Sequence, residues 1–305
     1  MPLFALLLMA GSFADPGNPA PVSIKPLPIP HRGTSVRRTG NANLPPAPVA
    51  RDRLGICLAE VKNDAAIGLA AAQAWAASAS ASASAGTDAG RASECLGTAQ
   101  ARAGHYADAL PAFSRAIAAL PAGEEGRHAA LYALAAQSAL ASGDATRALG
   151  WIQTALLPTS VLDADAKAEA QCDRARALVA LGRPEEARTA LADAHRLAPE
   201  SAESWLLSAT LARRDKNLVL AQHDIELAAQ YARPKSDIVP SVGLEAGVIA
   251  VLSSHDEAAR KSWQSVFTAA PDSAEAATAR DYLAQMGSPA DTTPVPAKPA
   301  KATGR

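Results

Sequence analysis

The sequence predicts an all-α fold in which antiparallel helix pairs stack as a solenoid. The first observation behind this prediction is a triplet that recurs five times: a small residue, a bulky apolar residue four positions later, and a small or apolar residue three positions further on. Residues at this spacing lie on one helix face, so each triplet marks the buried side of a helix. The first members of successive copies lie 34 to 39 residues apart, and a period of about 20 to 50 residues is typical of solenoids. The copies are Ala109, Phe113 and Ala116; Ala148, Ile152 and Ala155; Ala187, Leu191 and Ala194; Ala221, Ile225 and Ala228; and Ala259, Trp263 and Val266.

The composition is the second observation. Hydrophobic residues make up 49% of the chain and aromatic residues only 4%, because alanine, the best helix former, supplies most of the apolar content. Strands would need runs of β-branched and aromatic residues, and the sequence lacks such runs. The formal net charge is −1, whereas a nucleic-acid-binding protein needs a basic stripe. The composition therefore favours helices and argues against a nucleic-acid partner.

Each triplet is preceded by a helical stretch and a turn. The turns are predicted at Gly104-His105, Gly143-Asp144, Gly182-Arg183-Pro184, Lys216-Asn217 and Ser254-His255-Asp256. The stretches before them are predicted to form helices over Glu94–Ala103, Ala129–Ala141, Ala166–Leu181, Ala202–Arg213 and Val242–Leu252. Three repeats close with Pro121, Pro199 or Pro271, where the missing N–H and the ring clash stop a helix. The repeating unit is therefore a first helix, a short turn and a second helix.

The repeating residues resemble the tetratricopeptide repeat family, whose pattern is W-x2-L-G-x2-Y, then A-x3-F, then P over about 34 residues. The fourth repeat keeps the opening aromatic as Trp205, and the third places Arg174 where the family usually has leucine. The second repeat replaces Leu-Gly with Ala135-Ala136 and has Pro158 two residues early. The first repeat matches best, through Leu96, Gly97, Gly104, Tyr106, Ala109, Phe113, Ala116 and Pro121.

The resemblance implies a right-handed α-solenoid over residues 88–286. Its repeats are predicted at about 90–123, 129–162, 168–201, 202–235 and 240–273, followed by a capping helix over 273–286. Small residues at the family's glycine position are expected to let the paired helices touch. These residues are Gly97, Ala136, Ala175, Ala209 and Gly247.

The resemblance also implies a function, which is to hold partner proteins without catalysis. In this family a partner peptide or helix is held in a concave groove lined by the first helices. The Lys and Asn residues of the two-carboxylate clamp found in some relatives are absent, which disfavours a chaperone tail as the ligand. The groove is expected to be polar and somewhat basic in its middle and apolar toward the C-terminal end. The predicted partner-binding residues are Thr98, Arg102, Gln137, Arg176, Thr210, Arg213, Arg214, Leu244 and Val248.

The N-terminal residues 1–14 resemble a signal peptide. Leu3–Ala10 is too short to span a bilayer but suits an apolar signal core, and Ser12 and Ala14 are the small residues expected before a cleavage site. The positively charged n-region is missing, so an accidental apolar terminus is the alternative. A periplasmic or secreted location is predicted, with a cytoplasmic location as the alternative. No other segment is long and apolar enough to be an integral membrane span.

The two flanking segments are predicted to be disordered. Residues 15–50 and 287–305 are rich in proline, which favours extended chain. The basic residues His31-Arg32 and Arg37-Arg38 of the first segment could contact an anionic envelope surface or an acidic partner, although a solvated linker is the simpler interpretation. The Ala-Ser alternation over Ala77–Ala85 either extends the preceding helix or forms a connector.

Residues 51–87 are predicted to contain a degenerate helix pair that caps the array. Solenoids need such caps because a helix pair cannot bury its apolar face alone. Cys57 lies in this pair and Cys95 in the first helix of the first repeat, so the two could form a disulfide if the protein is exported. Cys172 is expected to pack as a small buried residue.

The sequence offers little support for an enzyme. The six histidines form no zinc-binding spacing, and neither a glycine-rich phosphate loop nor G-x-S-x-G occurs. His105 and His255 fall in exposed turns. No cofactor or metal is expected. The alternative function is an enzyme, or an accessory domain of one, whose site includes poorly patterned residues such as Asp163, Asp165 and Asp173, although acids at these places more simply cap and solvate helices.

Overall fold

The computed structural model describes residues 52–80, 85–121, 123–158 and 160–286. Within these ranges the chain forms thirteen α-helices and no strand, as the sequence predicts. The predicted signal peptide, the proline-rich segment 15–50 and the C-terminal segment 287–305 lie outside the described residues. The helices are α1 (Arg53–Asn63), α2 (Ala65–Ser80), α3 (Ala85–Arg102), α4 (Tyr106–Ala118), α5 (Glu125–Ala141), α6 (Ala145–Ala155), α7 (Ala164–Ala180), α8 (Pro184–Leu197), α9 (Ala202–Arg214), α10 (Leu218–Tyr231), α11 (Val239–Leu252), α12 (Asp256–Ala269) and α13 (Ala274–Gln285).

The helices belong to two compact units whose boundary lies between Pro199 and Glu200. Unit 1 contains α1 to α8, and unit 2 contains α9 to α13. In each repeat the dominant contacts join the two helices of the pair, and weaker contacts join the second helix to the first helix of the next pair, whereas in the N-terminal capping pair α2 contacts α3 more extensively than α1. The capping helix α13 packs on α11 and α12. Each unit is therefore a stack of antiparallel helix pairs.

The recurring triplets form the core of both units. All fifteen residues of the five triplets are at most 3% exposed. The bulky member of each triplet fills the space beside small residues, as Phe113 does with Ala109, Ala116 and Ala135 in one cluster. The helical register predicted from the sequence is confirmed by this burial.

Two glycines show why the first helices need small residues. A Cβ at Gly97 would lie 2.9 Å from Cδ1 of Phe113, and one at Gly247 would lie 2.1 Å from Nε1 of Trp263. Both distances are shorter than carbon contacts allow, so an aromatic ring of the second helix can lie flat on the first helix only at glycine. The indole N–H of Trp263 also donates to the carbonyl oxygen of Leu244 at 3.0 Å.

The turn inside each repeat has one backbone geometry. Its key residue has a positive φ of 62° to 84° in all five repeats, and this residue is glycine in the first three. Glycine adopts that conformation without a steric penalty, whereas the fourth and fifth repeats use Lys216 and Ser254. The second helices then begin with a side-chain cap in the second and fourth repeats, supplied by Asp144 and Asn217.

A capping pair closes the N-terminal end of unit 1. Helices α1 and α2 pack on each other and both contact α3. Cys57 of α1 and Cys95 of α3 form a disulfide with their Cα atoms 6.3 Å apart. Arg53 of α1 stacks over the Trp75 ring at 4.7 Å, and the Trp75 indole donates to Asp88 of α3 at 3.2 Å. The cap is thus held by a covalent bond and by polar contacts.

Several helix bounds differ from those predicted. The first helix of the first repeat begins at Ala85 rather than Glu94, because residues 85–93 contain no proline to stop a helix. Of the low-complexity stretch, Ala77–Ser80 continues α2, so these residues extend the preceding helix. Pro121, Pro199 and Pro271 follow the ends of α4, α8 and α12 by two or three residues, as expected.

None of the described helices has the length and apolar character that crossing a membrane would require.

Candidate functional site

The first helices of successive repeats line one side of each unit. In unit 1, α1 contacts α3, α3 contacts α5, and α5 contacts α7, while in unit 2, α9 contacts α11 and α11 contacts α13. Among the described residues, second helices do not contact one another. The stack therefore curves toward its first helices within each unit. We call the open side of α3, α5 and α7 the inner face of unit 1, and that of α9, α11 and α13 the inner face of unit 2.

The predicted binding residues of unit 1 differ in their accessibility. Arg102 is exposed at the end of α3, and Thr98 is half-buried with its hydroxyl donating to the carbonyl oxygen of Glu94 at 2.9 Å. Gln137 is only 8% exposed, so its side chain belongs to the packed interior of α5. Of these three residues, Arg102 has the side chain best placed to meet a partner.

A buried ion pair joins the first two repeats on this side of unit 1. The Arg127 guanidinium of α5 donates to the Glu94 carboxylate of α3 and, at 2.7 Å, to Glu124. Burial of Glu94 raises the pKa of its carboxyl above the usual value, and the attraction of Arg127 offsets only part of this rise. The pair therefore fixes α3 against α5 at an electrostatic cost.

The third repeat also has a paired arginine. Arg176 of α7 donates to Asp173 at 2.7 Å, and the two side chains are 15% and 8% exposed. The sequence predicts Arg176 as a basic contact for a partner, but its charge is compensated by the aspartate one turn earlier. The spacing of three residues on a helix could have indicated this pair.

In unit 2 a predicted groove arginine is also paired with a carboxylate, but here the two side chains lie on different helices. Arg213 of α9 donates to Glu245 of α11 through Nε at 2.6 Å and through Nη2 at 3.3 Å. Arg214 is exposed, whereas Thr210 is half-buried and its hydroxyl donates to the Leu206 carbonyl oxygen at 3.0 Å. The basic groove expected from the sequence is thus largely neutral, because both Arg176 and Arg213 are paired with carboxylates.

The C-terminal part of unit 2 presents apolar side chains. Half-buried residues of α11 and α13 pack over a core that contains Trp263 and Ala279. We call this surface the C-terminal apolar face. Its members are Leu244, Val248 and Val251 of α11, Tyr282 and Leu283 of α13, and Met286. Leu244 and Val248 of this face are the residues that the sequence predicts for the apolar end of the groove.

Comparison with known proteins identifies the repeat. A tetratricopeptide repeat family model matches residues 168–211, which contain most of α7, all of α8 and most of α9. The fold is similar to that of the Pseudomonas aeruginosa pilF protein, with a TM-score of 0.55, 13% identity, and coverage of 76% of this chain and 95% of that one. Residues 168–211 therefore match the tetratricopeptide repeat, and the helix pairs of the chain have the fold of a tetratricopeptide repeat solenoid.

Two further solved structures have a similar fold. TTC0263, a thermophilic tetratricopeptide repeat protein of Thermus thermophilus, has a TM-score of 0.52 at 19% identity, covering 65% of this chain and 98% of that one. Acl4, an assembly chaperone of RpL4, has a TM-score of 0.52 at 16% identity, covering 77% and 95%. No curated protein sequence matches significantly. Identities this low establish the fold of the chain and leave its partner open.

Two of the three acidic residues considered for an enzymatic function make structural contacts. Asp163 caps α7 by accepting from the Ala166 amide at 2.8 Å, Asp165 is exposed in the first turn, and Asp173 pairs with Arg176. Within the described ranges, no group of His, Cys, Asp and Glu could hold a metal ion. The expected N-cap role is confirmed for Asp163.

One polar cluster in unit 2 contains the residue types of a hydrolase triad. Ser208 donates to Oδ2 of the buried Asp224 at 2.6 Å, and His223 Nδ1 lies 3.0 Å from Oδ1 of the same carboxylate. In a triad the imidazole lies between serine and carboxylate, because it must accept the serine proton. Here the carboxylate lies between the other two, so the arrangement ties α9 to α10 and does not activate Ser208.

Sequence reasoning missed the partners of the groove arginines. Glu245 lies 32 residues after Arg213, and Arg127 lies 33 residues after Glu94. Both separations approximate one repeat, so opposite charges one repeat apart on first helices were a usable signal. Asp224 contacts Ser208, which lies 16 positions earlier, and its neighbour His223, so the repeat period did not indicate these contacts.

Proposed function

We propose that this chain is a non-catalytic scaffold that binds a segment of a partner protein on the inner faces of its repeat units. The observation that supports this most directly is the contact pattern, in which successive first helices touch and successive second helices of the described ranges do not. Extended concave surfaces of this kind are what solenoid proteins use to bind partners. One of the similar structures, Acl4, is described as an assembly chaperone, which agrees with a scaffold of this type.

The charge arrangement favours a partner segment without high net charge. Arg176 and Arg213 are each matched by a carboxylate, which leaves Arg102 in unit 1 and Arg214 in unit 2 as exposed basic residues among those predicted for the groove. Exposed charges at an interface affect specificity and association rate more than affinity. Apolar side chains of the C-terminal apolar face would supply more of the binding energy.

We further propose that the scaffold works in the cell envelope after export. The apolar run Leu3–Ala10 and the small residues Ser12 and Ala14 support a cleaved signal peptide. The disulfide between Cys57 and Cys95 agrees with an oxidising compartment, since disulfides are rare in the cytosol. The basic residues of segment 15–50 would allow a peripheral contact with an anionic envelope surface.

Site-specific photo-crosslinking in cells would test the binding faces. A photoreactive amino acid at Arg102 or Arg214 should form partner adducts, because both residues are exposed and both are predicted for the groove. The matched control is Arg115, an exposed arginine of the second helix α4, which should give few adducts. Equal labelling from all three positions would contradict the proposed faces. Mass spectrometry of the adducts would identify the partner.

A further inference from the structure

Helix α11 is apolar on every side but is incompletely buried. Glu245 is the only ionisable side chain of Val239–Leu252, and its charge is matched by Arg213. A helix that is hydrophobic all round is normally enclosed by other elements. In unit 2, however, Leu252 is 40% exposed, and Leu244, Val248 and Val251 are only half-buried. This imbalance indicates that a further segment covers part of α11.

The chain leaves unit 2 at the edge of this surface. Met286 follows α13 directly and is a member of the C-terminal apolar face, and its carbonyl oxygen accepts from Arg260 Nη2 at 3.0 Å. The 19 residues 287–305 come next. When extended they could reach about 60 Å, which is far more than the approximately 21 Å length of a 14-residue helix such as α11.

The sequence of this segment suits an apolar groove. Residues 294–299 read Pro-Val-Pro-Ala-Lys-Pro, which contains the spacing P-x-x-P. Such segments favour the polyproline II conformation, which has no internal hydrogen bonds and docks on surfaces with aromatic side chains. Tyr282 supplies an aromatic ring on the C-terminal apolar face, 5.0 Å from the Trp263 ring centroid. Six residues in this conformation span about 19 Å, close to the length of α11.

The helical part of unit 2 and the C-terminal segment 287–305 have net charges of opposite sign. Residues 200–286 contain 12 acidic and 8 basic side chains, whereas residues 287–305 contain one acidic and three basic ones. The basic residues Lys298, Lys301 and Arg305 cluster at or beyond the P-x-x-P segment. Opposite net charges favour association and help to set orientation. Because the segment is tethered, its effective concentration near the face is on the order of millimolar.

We propose that residues 294–299 fold back in an extended conformation onto the C-terminal apolar face of unit 2 and cover it until a partner displaces them. This inference concerns the same surface as the proposed function and rests on it only for the displacement step. The tail is then an internal competitor for the apolar end of the binding groove.

Binding of the isolated tail tests the contact. A fluorescein-labelled peptide of residues 287–305 should bind a chain that ends at Met286, as measured by fluorescence anisotropy, and should bind the full chain at least about tenfold more weakly because the tethered tail competes. The control peptide carries Val295→Ser and Pro296→Gly, which keep its charge and length, and it should lose most of its affinity. Failure of the wild-type peptide to bind the shortened chain would overturn the proposal, as would equal affinity for both chains.

A second pair of variants locates the contact on the protein. Val248→Ser in the shortened chain should weaken peptide binding at least about fivefold, because the valine methyl groups lose their contact with the peptide. Val219→Ser removes an 84% exposed valine of α10 in the same unit and should leave binding unchanged. Circular dichroism spectra should show that both variants remain helical. Equal effects of the two substitutions would overturn the assignment to this face.

The crosslinking and peptide-binding experiments distinguish failure of the proposed function from failure of the tail contact. If the crosslinked partner binds the full and shortened chains equally, the tail does not compete and this inference fails while the proposed function stands. If the peptide binds as expected but inner-face crosslinking gives no partner, the tail contact stands and the proposed function fails. Self-association of the shortened chain by light scattering, without peptide binding, would show that a second copy covers the face and would overturn the proposal.

Discussion

At the residue scale, the indole of Trp263 packs against Gly247 so closely that an added Cβ would lie 2.1 Å from Nε1. The missing Cβ allows the indole N–H to reach the Leu244 carbonyl oxygen. Alanine normally stabilises a helix relative to glycine by about 1 kcal/mol. At this position the added methyl group would have to displace the ring, so sterics should outweigh helix propensity.

Gly247→Ala should therefore lower the free energy of unfolding by about 1 to 3 kcal/mol, as overpacked cores do. Gly150→Ala in α6 is the matched control, because a Cβ there would meet no atom within 4 Å. That control should be neutral or stabilising by up to about 1 kcal/mol. Urea denaturation followed by circular dichroism measures both. A stabilised Gly247→Ala variant would show that the indole can shift freely.

A second residue-scale prediction concerns the buried pair of Glu94 and Arg127. Because burial raises the folded-state pKa of Glu94, its ionisation favours unfolding, and the free energy of unfolding falls as pH rises through that pKa. Arg127→Met removes the compensating charge, raises this pKa further and should destabilise the protein by about 2 kcal/mol at pH 7. The loss should be smaller at pH 4, where a larger fraction of Glu94 is protonated and carries no charge for Arg127 to compensate. Denaturation curves at the two pH values test this difference.

The double variant Glu94→Gln with Arg127→Met is the control for this pair. It retains the shape of the site but has no ionisable carboxyl, so the extra loss of stability between pH 4 and pH 7 should disappear. If the single and double variants respond to pH alike, Glu94 is not the group responsible.

At the element scale, the N-terminal cap depends on one covalent link. The disulfide connects α1 to α3 across a sequence separation of 38 residues. A loop of this length corresponds to at most about 4 kcal/mol of stabilisation in the chain-entropy model. Since α1 and α2 bury one end of unit 1, their detachment would expose Val61, Ala72 and other core residues of the cap.

The variant with both Cys57→Ala and Cys95→Ala should accordingly melt at a lower temperature than the oxidised wild type. Reduction of the wild type should produce a similar decrease, whereas the reductant should not affect the double variant. Hydrogen exchange measured by mass spectrometry should show faster exchange in α1 and α2 than in α7 once the link is lost. Unchanged protection of α1 would show that packing alone holds the cap.

At the scale of the whole molecule, charge is distributed unevenly along the chain. Residues 52–286 contain 21 basic and 28 acidic side chains, and residues 1–51 and 287–305 together contain eight basic and two acidic ones. The formal net charge of the whole chain is only −1, because the acidic excess of the helical part and the basic excess of the terminal residues nearly cancel. An acidic helical body with basic flanking segments suits a scaffold whose ends contact anionic surfaces while its repeats hold a partner.

Export gives the whole-molecule prediction. If residues 1–14 are a signal peptide, the protein purified from its native host should begin at Asp15 and should contain the Cys57–Cys95 disulfide. N-terminal peptide mapping without reductant measures both properties in one experiment. A chain that retains Met1 and has both thiols free would contradict export.

The sequence by itself determined the repeat, the helical register and the turns of this protein. Helix burial follows a local period, and this period is visible in the spacing of the small and apolar residues along the chain. Phe113, Ile152, Leu191, Ile225 and Trp263 are buried where the triplets place them. Only the tertiary structure decided which groove residues are available to a partner. From the sequence alone, Arg213 is expected to offer its charge to a partner, but α11 places Glu245 beside it. Gln137 is expected to face the groove, but its side chain is buried. Side-chain pairing across repeats depends on how the helices stack, and contacts between residues distant in sequence are not encoded in any local pattern.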